Sequence, residues 1–131
     1  MDLRAHLRAE LARRVARNRR YSLRAFARTL GTHHSTLTRI LDGRRRLTAG
    51  VIERIGTRAG LSPEQVVAAR AEEHARRIIE LARHPRFRPD CRWLAMMSGL
   101  ELDDVNRALH HAIRTRRLVL RSATTWVVSA P

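Results

Sequence analysis

The chain is 131 residues long and has a formal net charge of +15, from 27 basic and 12 acidic residues. That length allows one domain of ordinary size or two very small ones. Aromatic residues make up only 4% of the chain, so the core must be built from aliphatic side chains, which favours helices. So large a positive excess repels itself within a compact protein and is typical of a protein that binds a polyanion.

All 27 basic residues are arginine, and there is a single cysteine, Cys91. One cysteine excludes an internal disulfide and a cysteine-based zinc site, which suits a reducing compartment. No apolar run approaches the roughly 20 residues of a membrane span, and the N-terminus lacks the apolar core of a signal peptide. We therefore expect a cytoplasmic, nucleoid-associated protein without membrane contact. A GC-rich genome would explain the missing lysine, but the arginine fork suits phosphate and guanine whatever its origin.

Positive charge is concentrated in the first half of the chain. Residues 1–60 hold 15 arginines against 4 acidic residues, a net of +11. Residues 61–131 hold 12 arginines against 8 acidic residues, a net of +4. The first half is therefore the expected electrostatic footprint on a polyanion.

Amphipathic helices are predicted along most of the chain. Leu3, Leu7, Leu11 and Val15 recur every four residues between arginines, so we expect a first helix over about 2–18 with these side chains inward. Hydroxylated or acidic residues stand where later helices need N-caps, and glycines stand where helices should end. The other helices expected are 23–30 (cap Ser22), 33–41 (cap Thr32), one after Thr48, one after Ser62 that either runs as far as Leu81 or breaks in its polar middle, 91–98 (cap Asp90) and 101–116.

The end of the chain has a different pattern. Two prolines in the segment 84–90 predict a loop, and the apolar runs on either side of "SATT" at 122–125 predict a β-hairpin. The resulting order of helix, helix, helix and hairpin is that of a winged helix. The side chains expected in the core of this part are Trp93, Met96, Met97, Val105, Leu109 and Ile113.

The segment "LRAFARTLGTHHSTLTRI" has the spacing of a helix-turn-helix. That motif needs a small residue where two helices cross, a glycine in the turn and apolar residues on the inner face of the second helix. Counting Leu23 as the first position, Ala27 is fifth, Gly31 ninth, Leu37 fifteenth and Ile40 eighteenth. The alanine lets the helices approach each other, and the glycine supplies the positive φ of the turn.

With the flanking helices, residues 3–61 resemble the lambda-repressor-like, or Xre-type, family of DNA-binding proteins. The resemblance implies a mainly α fold with a five-helix N-terminal domain, residues 1–70, that reads the major groove of double-stranded DNA with the helix 33–41. Residues 86–121 are similar, more loosely, to the winged-helix segment that follows such a domain in a subgroup of these regulators. We therefore expect a small winged-helix-like domain, ending in a β-hairpin, over 71–131.

The predicted reading helix has a polar face that is uncharged over residues 34–38. At 100° per residue, His34, Ser35, Thr38 and Arg39 share the side of the helix opposite Leu37. The resemblance places these positions in the major groove, where His, Ser and Thr can bond base edges and an arginine suits the O6 and N7 of guanine. The backbone-contacting residues expected are Thr32, His33 and Thr36 by resemblance, and Arg24, Arg28, Arg44, Arg45 and Arg46 by charge. Alternatively, the last three arginines lie in a turn and are only solvated.

Other groups of residues give weaker signals. The adjacent histidines at 33–34 and 110–111 point about 100° apart on a helix and do not chelate one ion. Asp103 and Asp104 lie at a helix N-terminus, where acidic residues usually complement the helix dipole. We therefore expect no catalytic site, no metal and no cofactor, and the protein is not expected to be an enzyme.

The helix-turn-helix spacing recurs in the second half. Counting from Cys91, Ala95 is fifth, Gly99 ninth, Val105 fifteenth and Ala108 eighteenth. A groove-reading helix meets phosphates at its start, and bringing a carboxylate there is unfavourable. We therefore expect this motif to serve dimerisation or a protein partner, with at most the wing touching DNA. The carboxylates that open its second helix are those of Glu101, Asp103 and Asp104.

The function expected is that of a sequence-specific transcriptional regulator, a repressor that binds a palindromic site as a homodimer. One alternative is an antitoxin or phage-type adaptor whose residues 71–131 bind a protein partner while the first domain holds the operator. Another is an architectural DNA-binding protein. The uncharged face argues against the latter, because such proteins use arginine or apolar wedges.

Overall fold

The computed structural model describes residues 1–129, and the chain divides into two compact units, Met1–Arg70 and Ala71–Pro131. Each unit has its own hydrophobic core. The described elements, in chain order, are α1 (Leu3–Arg17), α2 (Leu23–Leu30), α3 (His34–Leu41), α4 (Ala49–Arg58), α5 (Pro63–Ala82), α6 (Cys91–Ser98), α7 (Leu102–Arg114), β1 (Leu118–Leu120) and β2 (Trp126–Val128). The fold is mainly helical, as predicted.

Side-chain caps determine where most helices begin. Ser22, Thr48 and Asp90 each accept a hydrogen bond from a backbone N–H two or three residues further on. At α5, Ser62 Oγ accepts from the backbone N–H of Gln65 at 3.2 Å, and Gln65 Oε1 accepts from that of Ser62 at 2.9 Å. This reciprocal pair is a capping box. These four predicted helix starts are confirmed.

The predicted cap of α3 is wrong. His33, not Thr32, has the extended backbone of an N-cap, and its Nδ1 accepts a hydrogen bond from the backbone N–H of Ser35 at 3.3 Å. The helix therefore begins at His34, one residue later than predicted. Thr32 lies in the turn, where its N–H donates to the carbonyl of Ala27 at 3.0 Å. A hydroxyl is the commoner cap, but the ring nitrogen of His33 provides an equivalent acceptor.

Two of the apolar residues that a four-residue repeat predicts to be inward are exposed. Val15 is 37% exposed on α1, and Ile113 is 40% exposed on α7. Both predictions extended a four-residue step, which turns 400° and so drifts about 40° off the buried face at each repeat. On α7 the buried face continues at Ala112, which is fully buried, rather than at the next residue.

The first unit packs α1–α4 and the start of α5 around an aliphatic core with one aromatic ring. Phe26 lies at its centre, fully buried, and Tyr21 contacts that ring edge-on at a centroid distance of 6.5 Å. The innermost residues of this core are Leu7, Phe26, Leu30, Leu37, Ile40, Ile52 and Ile55.

The second unit packs the rest of α5, α6, α7 and a hairpin. The strands β1 and β2 are antiparallel, with Val119 opposite Val127. Leu118, on the inner face of β1, is 1% exposed. The predicted hairpin is thus confirmed. The side chains of Met96 and Met97, predicted to be core, are 70% and 40% exposed because the inner face of the short helix α6 is occupied by Leu94. In the described part of the chain, no helix is long and apolar enough to cross a membrane.

Candidate nucleic-acid interface

The segment α2–turn–α3 has the geometry of a helix-turn-helix. Gly31 ends α2 with φ of +71°, and its backbone N–H donates to the carbonyls of Ala27 and Arg28. Ala27 is 2% exposed where α2 and α3 pack, while Leu37 and Ile40 fasten α3 to the core. These contacts leave the opposite face of α3 free of core contacts, as the predicted role of that face requires.

Gly31 is also in contact with a neighbouring helix. A Cβ at this position would collide with the guanidinium group of Arg58, which projects from α4 over the turn. The left-handed backbone is what favours glycine here, and a Cβ would in addition displace the flexible end of this side chain.

The four predicted base-contacting residues lie together on α3. Ser35 and Arg39 are exposed, and His34 and Thr38 are half-buried. Desolvation, together with the positive charge of Arg24, lowers the pKa of His34 below its ordinary value. The His34 imidazole is therefore neutral at neutral pH, so that it presents one donor and one acceptor nitrogen.

Hydrogen bonds within the protein orient three of the polar side chains at the start of α3. Thr38 Oγ1 donates to the backbone carbonyl of His34 at 2.9 Å. Ser35 Oγ lies 2.8 Å from Nδ1 of His33, the same nitrogen that caps the helix. The imidazole rings of His33 and His34 lie 4.4 Å apart, centroid to centroid. The polar groups at this end of α3 are therefore held in place before any ligand arrives.

Most of the predicted phosphate-contacting arginines have exposed guanidinium groups. Within residues 1–129, no carboxylate pairs with the side chain of Arg24, Arg28, Arg39, Arg45 or Arg46. Their positive charge is thus available to a polyanion. Arg44 differs, because its Nη2 lies 2.6 Å from Oδ2 of Asp42 in an exposed ion pair that partly neutralises it. Of the other candidates for backbone contact near the start of α3, His33 is exposed and Thr36 is half-buried.

Two arginines of α1 hold the end of α3, and sequence reasoning missed both. Arg4 is 5% exposed; its Nε donates to the carbonyl of Ile40 and its Nη2 to that of Arg45, each at 2.9 Å. The guanidinium of Arg8 donates to the carbonyl of Leu41. The bonds to Ile40 and Leu41 add side-chain donors to carbonyls of the last turn of α3, and the bond to Arg45 holds the loop that follows it. The available signal was the i, i+4 spacing of the two arginines beside the leucine stripe.

The second predicted motif, α6–turn–α7, has the same backbone geometry. Gly99 ends α6 with φ of +74°, and Val105 and Ala108 are fully buried. The start of α7 differs from that of α3 in charge, because Asp103 and Asp104 occupy its first turn. These side chains also complement the positive end of the helix dipole.

A carboxylate of the second unit ties three elements together. Glu72, on α5, accepts two hydrogen bonds of 2.9 Å from the guanidinium of Arg117, which precedes β1, and lies 2.6 Å from Nε2 of His111 on α7. Burial raises the pKa of the Glu72 carboxyl, but the hydrogen bonds from His111 and Arg117 outweigh it, and the net result is a pKa below the ordinary value. Glu72 is therefore ionised at neutral pH.

Comparison with known protein families identifies the first unit. Residues 5–69 match a family model described as a helix-turn-helix domain. This part of the chain is a helix-turn-helix domain. The match spans all of α2 and α3, and it agrees with the predicted Xre-type regulator; DNA is accordingly its partner, in a regulatory role. The winged-helix assignment of the second unit lies outside the match and stays a prediction. No curated protein and no solved structure was found to match the chain.

Proposed function

We propose that the protein is a sequence-specific transcriptional repressor that places α3 in the major groove of its operator. One observation carries the proposal: the free face of α3 holds hydrogen-bonding side chains and no carboxylate, and the exposed arginines around it, apart from Arg44, have no acidic partner within residues 1–129. Hydrogen-bonding groups of this kind read base edges, and unpaired arginines neutralise phosphates. The proposal includes no catalytic activity, no metal and no cofactor.

In this proposal His34, Ser35, Thr38 and Arg39 contact bases. Arg39 is the strongest donor among them, because a guanidinium can bond O6 and N7 of one guanine together. Arg44 makes a weaker phosphate contact than its neighbours, since Asp42 already pairs with it. The proposed backbone contacts are Arg24, Arg28, Thr32, His33, Thr36, Arg44, Arg45 and Arg46.

We also propose a homodimer, because a single small helix-turn-helix buries too little DNA surface for tight specific binding. The second unit supports this, since large apolar side chains are exposed there in its described part: Met96, Met97, Leu102, Ile113 and Val119. Light scattering should give a dimer at micromolar concentration. A monomer both with and without operator DNA would contradict the proposal.

The same apolar side chains favour a second candidate, an antitoxin or adaptor whose residues 71–131 bind another protein. Alanine substitution of Met96 and Met97 separates the two. If these residues serve a dimer, the double variant should become monomeric and lose operator affinity. If they serve a different partner, the oligomeric state and the operator affinity of the double variant should not change.

The test of the main proposal is selection from a random double-stranded DNA library with the purified full-length protein. We expect a palindromic motif with a guanine in each half-site. Arg45→Ala serves as the control for backbone contact: it should weaken all sequences about equally and reduce the dependence of affinity on salt. Binding without any enriched sequence would instead identify an architectural DNA-binding protein.

A further inference from the structure

The hydroxyl hydrogen of Thr38 is already used within the protein. Its Oγ1 lies 2.9 Å from the backbone carbonyl oxygen of His34, one turn earlier on α3. A carbonyl oxygen only accepts hydrogen bonds, so the Thr38 hydroxyl must be the donor. Towards a ligand, the Thr38 hydroxyl oxygen can therefore act only as a hydrogen-bond acceptor.

The same holds for Ser35, by way of the helix cap. The helix cap corresponds to one tautomer of His33, in which Nδ1 carries no hydrogen and accepts from the backbone N–H of Ser35 at 3.3 Å. In that tautomer Ser35 Oγ, 2.8 Å from the same nitrogen, is a second donor to its lone pair. Ser35, like Thr38, presents only lone pairs outward.

An acceptor in the major groove distinguishes two classes of base. Adenine presents its N6 amino group and cytosine its N4 amino group, both donors, where guanine presents O6 and thymine O4, both acceptors. An acceptor aimed at this place on one strand gains a hydrogen bond from adenine or cytosine. Facing guanine or thymine, it meets a second acceptor, and both are left without a donor.

We propose that Ser35 and Thr38 select amino-bearing bases, adenine or cytosine, on the strand that they contact, whereas Arg39 selects guanine. This inference rests on the proposed function, since it assumes that α3 lies in the major groove. Turning either hydroxyl to donate to a base would exchange one hydrogen bond for another. Accepting from an amino group adds a bond to the one already made, and bonds in such a chain reinforce each other.

The first step of the test assigns base positions to Thr38. Library selection is run with the wild-type protein, Thr38→Val and Thr38→Ser, each checked for folding by thermal melting. Valine keeps the shape of the side chain and removes the oxygen, whereas serine keeps the oxygen. We expect one position of each half-site to require adenine or cytosine in the wild-type protein and in Thr38→Ser, and to lose that preference in Thr38→Val. Guanine or thymine at the position would overturn the assignment.

The second step removes the amino group from the DNA and needs no variant. Each adenine of the selected site is replaced in turn by purine, and each cytosine by 2-pyrimidinone, which lack the amino group. Wild-type protein should lose affinity roughly 2- to 10-fold, the range of one hydrogen bond, at the positions read by Ser35 and Thr38. Thr38→Val should not distinguish the analogue from the natural base at its position, which controls for altered base pairing.

The outcomes separate this inference from the function on which it rests. If no sequence is enriched with the wild-type protein, the proposed function fails and this inference fails with it. If a clear motif is enriched but no analogue weakens binding, the repressor proposal stands and the acceptor assignment is overturned. At a second position, an analogue that weakens the wild-type protein but not Ser35→Ala would extend the support to Ser35, and an analogue that weakens both equally would overturn its assignment.

Discussion

The two helix-turn-helix segments of this chain share a backbone and differ in surface chemistry. Each has a left-handed glycine after its first helix, with φ of +71° at Gly31 and +74° at Gly99. The fifteenth and eighteenth positions are fully buried in both, as Leu37 and Ile40 in the first and as Val105 and Ala108 in the second.

Their outer faces differ residue by residue. The positions of Ser35 and Thr36 on α3 correspond to Asp103 and Asp104 on α7, and Arg39 corresponds to Arg107. Arg39 has no carboxylate partner among the described residues, but Nη1 of Arg107 lies 3.5 Å from Oδ1 of Asp104. Both arginines are exposed, but the one on α7 lies beside an acid and the one on α3 does not.

The comparison shows that the buried positions define the fold of the motif, while the outer positions determine what it can bind. A match to the spacing alone would give this protein two DNA-reading helices. We expect the carboxylates at the start of α7 to exclude that role for the second helix, because phosphates repel them at short range. The predictions below test this division between shared structure and different chemistry.

The largest effect is expected from emptying each core. Leu37→Ala and Leu94→Ala remove fully buried side chains from the first and second unit, and each should cost about 2–5 kcal/mol of stability. Both tryptophans, Trp93 and Trp126, lie in the second unit, so their fluorescence reports its unfolding, while circular dichroism reports both units. Base preference should survive in Leu94→Ala under conditions where the first unit stays folded. Loss of that preference would mean that the second unit reads DNA.

The next effect concerns the carboxylate that organises the second unit. Glu72→Gln removes the charged partner of Arg117 and His111 and should cost about 1.5–3 kcal/mol. The control is Glu101→Gln, because Glu101 is exposed and makes no side-chain cap bond. Denaturant unfolding followed by tryptophan fluorescence should show a large loss for the first variant and little for the second.

The dependence on pH follows from the same carboxylate. Since its pKa is lower in the folded protein than the ordinary 4.5, this contribution to stability is full above that pH and is lost as pH falls through the folded value. Glu72→Gln should therefore make the unfolding of the second unit, followed by tryptophan fluorescence, less sensitive to acid. An unchanged acid transition would mean that the carboxylate does not stabilise the unit.

A smaller effect is expected when the corresponding arginines of the two motifs are replaced. Arg39→Ala should weaken operator binding by about 1–3 kcal/mol and relax the preference at one base pair. Arg107→Ala should leave the selected sequence unchanged, because we expect α7 not to read bases. It should also cost little stability, because Arg107 and Asp104 form an ion pair at the surface. Fluorescence anisotropy with operator DNA measures the binding of both variants. Equal losses would contradict the difference drawn between α3 and α7.

Local patterns predicted much of this molecule, since turns, caps and buried stripes depend on neighbours in the chain. The positions of Gly31, Leu37 and Ile40 followed from spacing, and the hairpin followed from its two apolar runs. The grouping of base-contact candidates on α3 also needed only helical periodicity. Their roles stay predictions.

What sequence could not supply depended on contacts between distant segments. The bonds from Arg4 to the carbonyls of Ile40 and Arg45 join residues 36 and 41 positions apart, so an arginine that composition counts as surface charge is buried. The hydrogen positions at Ser35 and Thr38 likewise require side-chain geometry. The pattern of residue types determines neither the burial of Arg4 nor the direction of these hydrogen bonds.

The smallest effect tests the shared turn itself. Gly31→Ala and Gly99→Ala each force a Cβ into a left-handed backbone, at about 1–2 kcal/mol. Only at Gly31 would the new Cβ also meet a neighbour, the flexible end of Arg58, while at Gly99 it would meet open space. We therefore expect a slightly larger loss for Gly31→Ala, and the excess should vanish when both variants are measured in an Arg58→Ala background. Thermal melting followed by circular dichroism gives these differences. An excess that persists without Arg58 would show that the two turns differ in backbone strain, and the structural equivalence of the two motifs would then fail at its most conspicuous position.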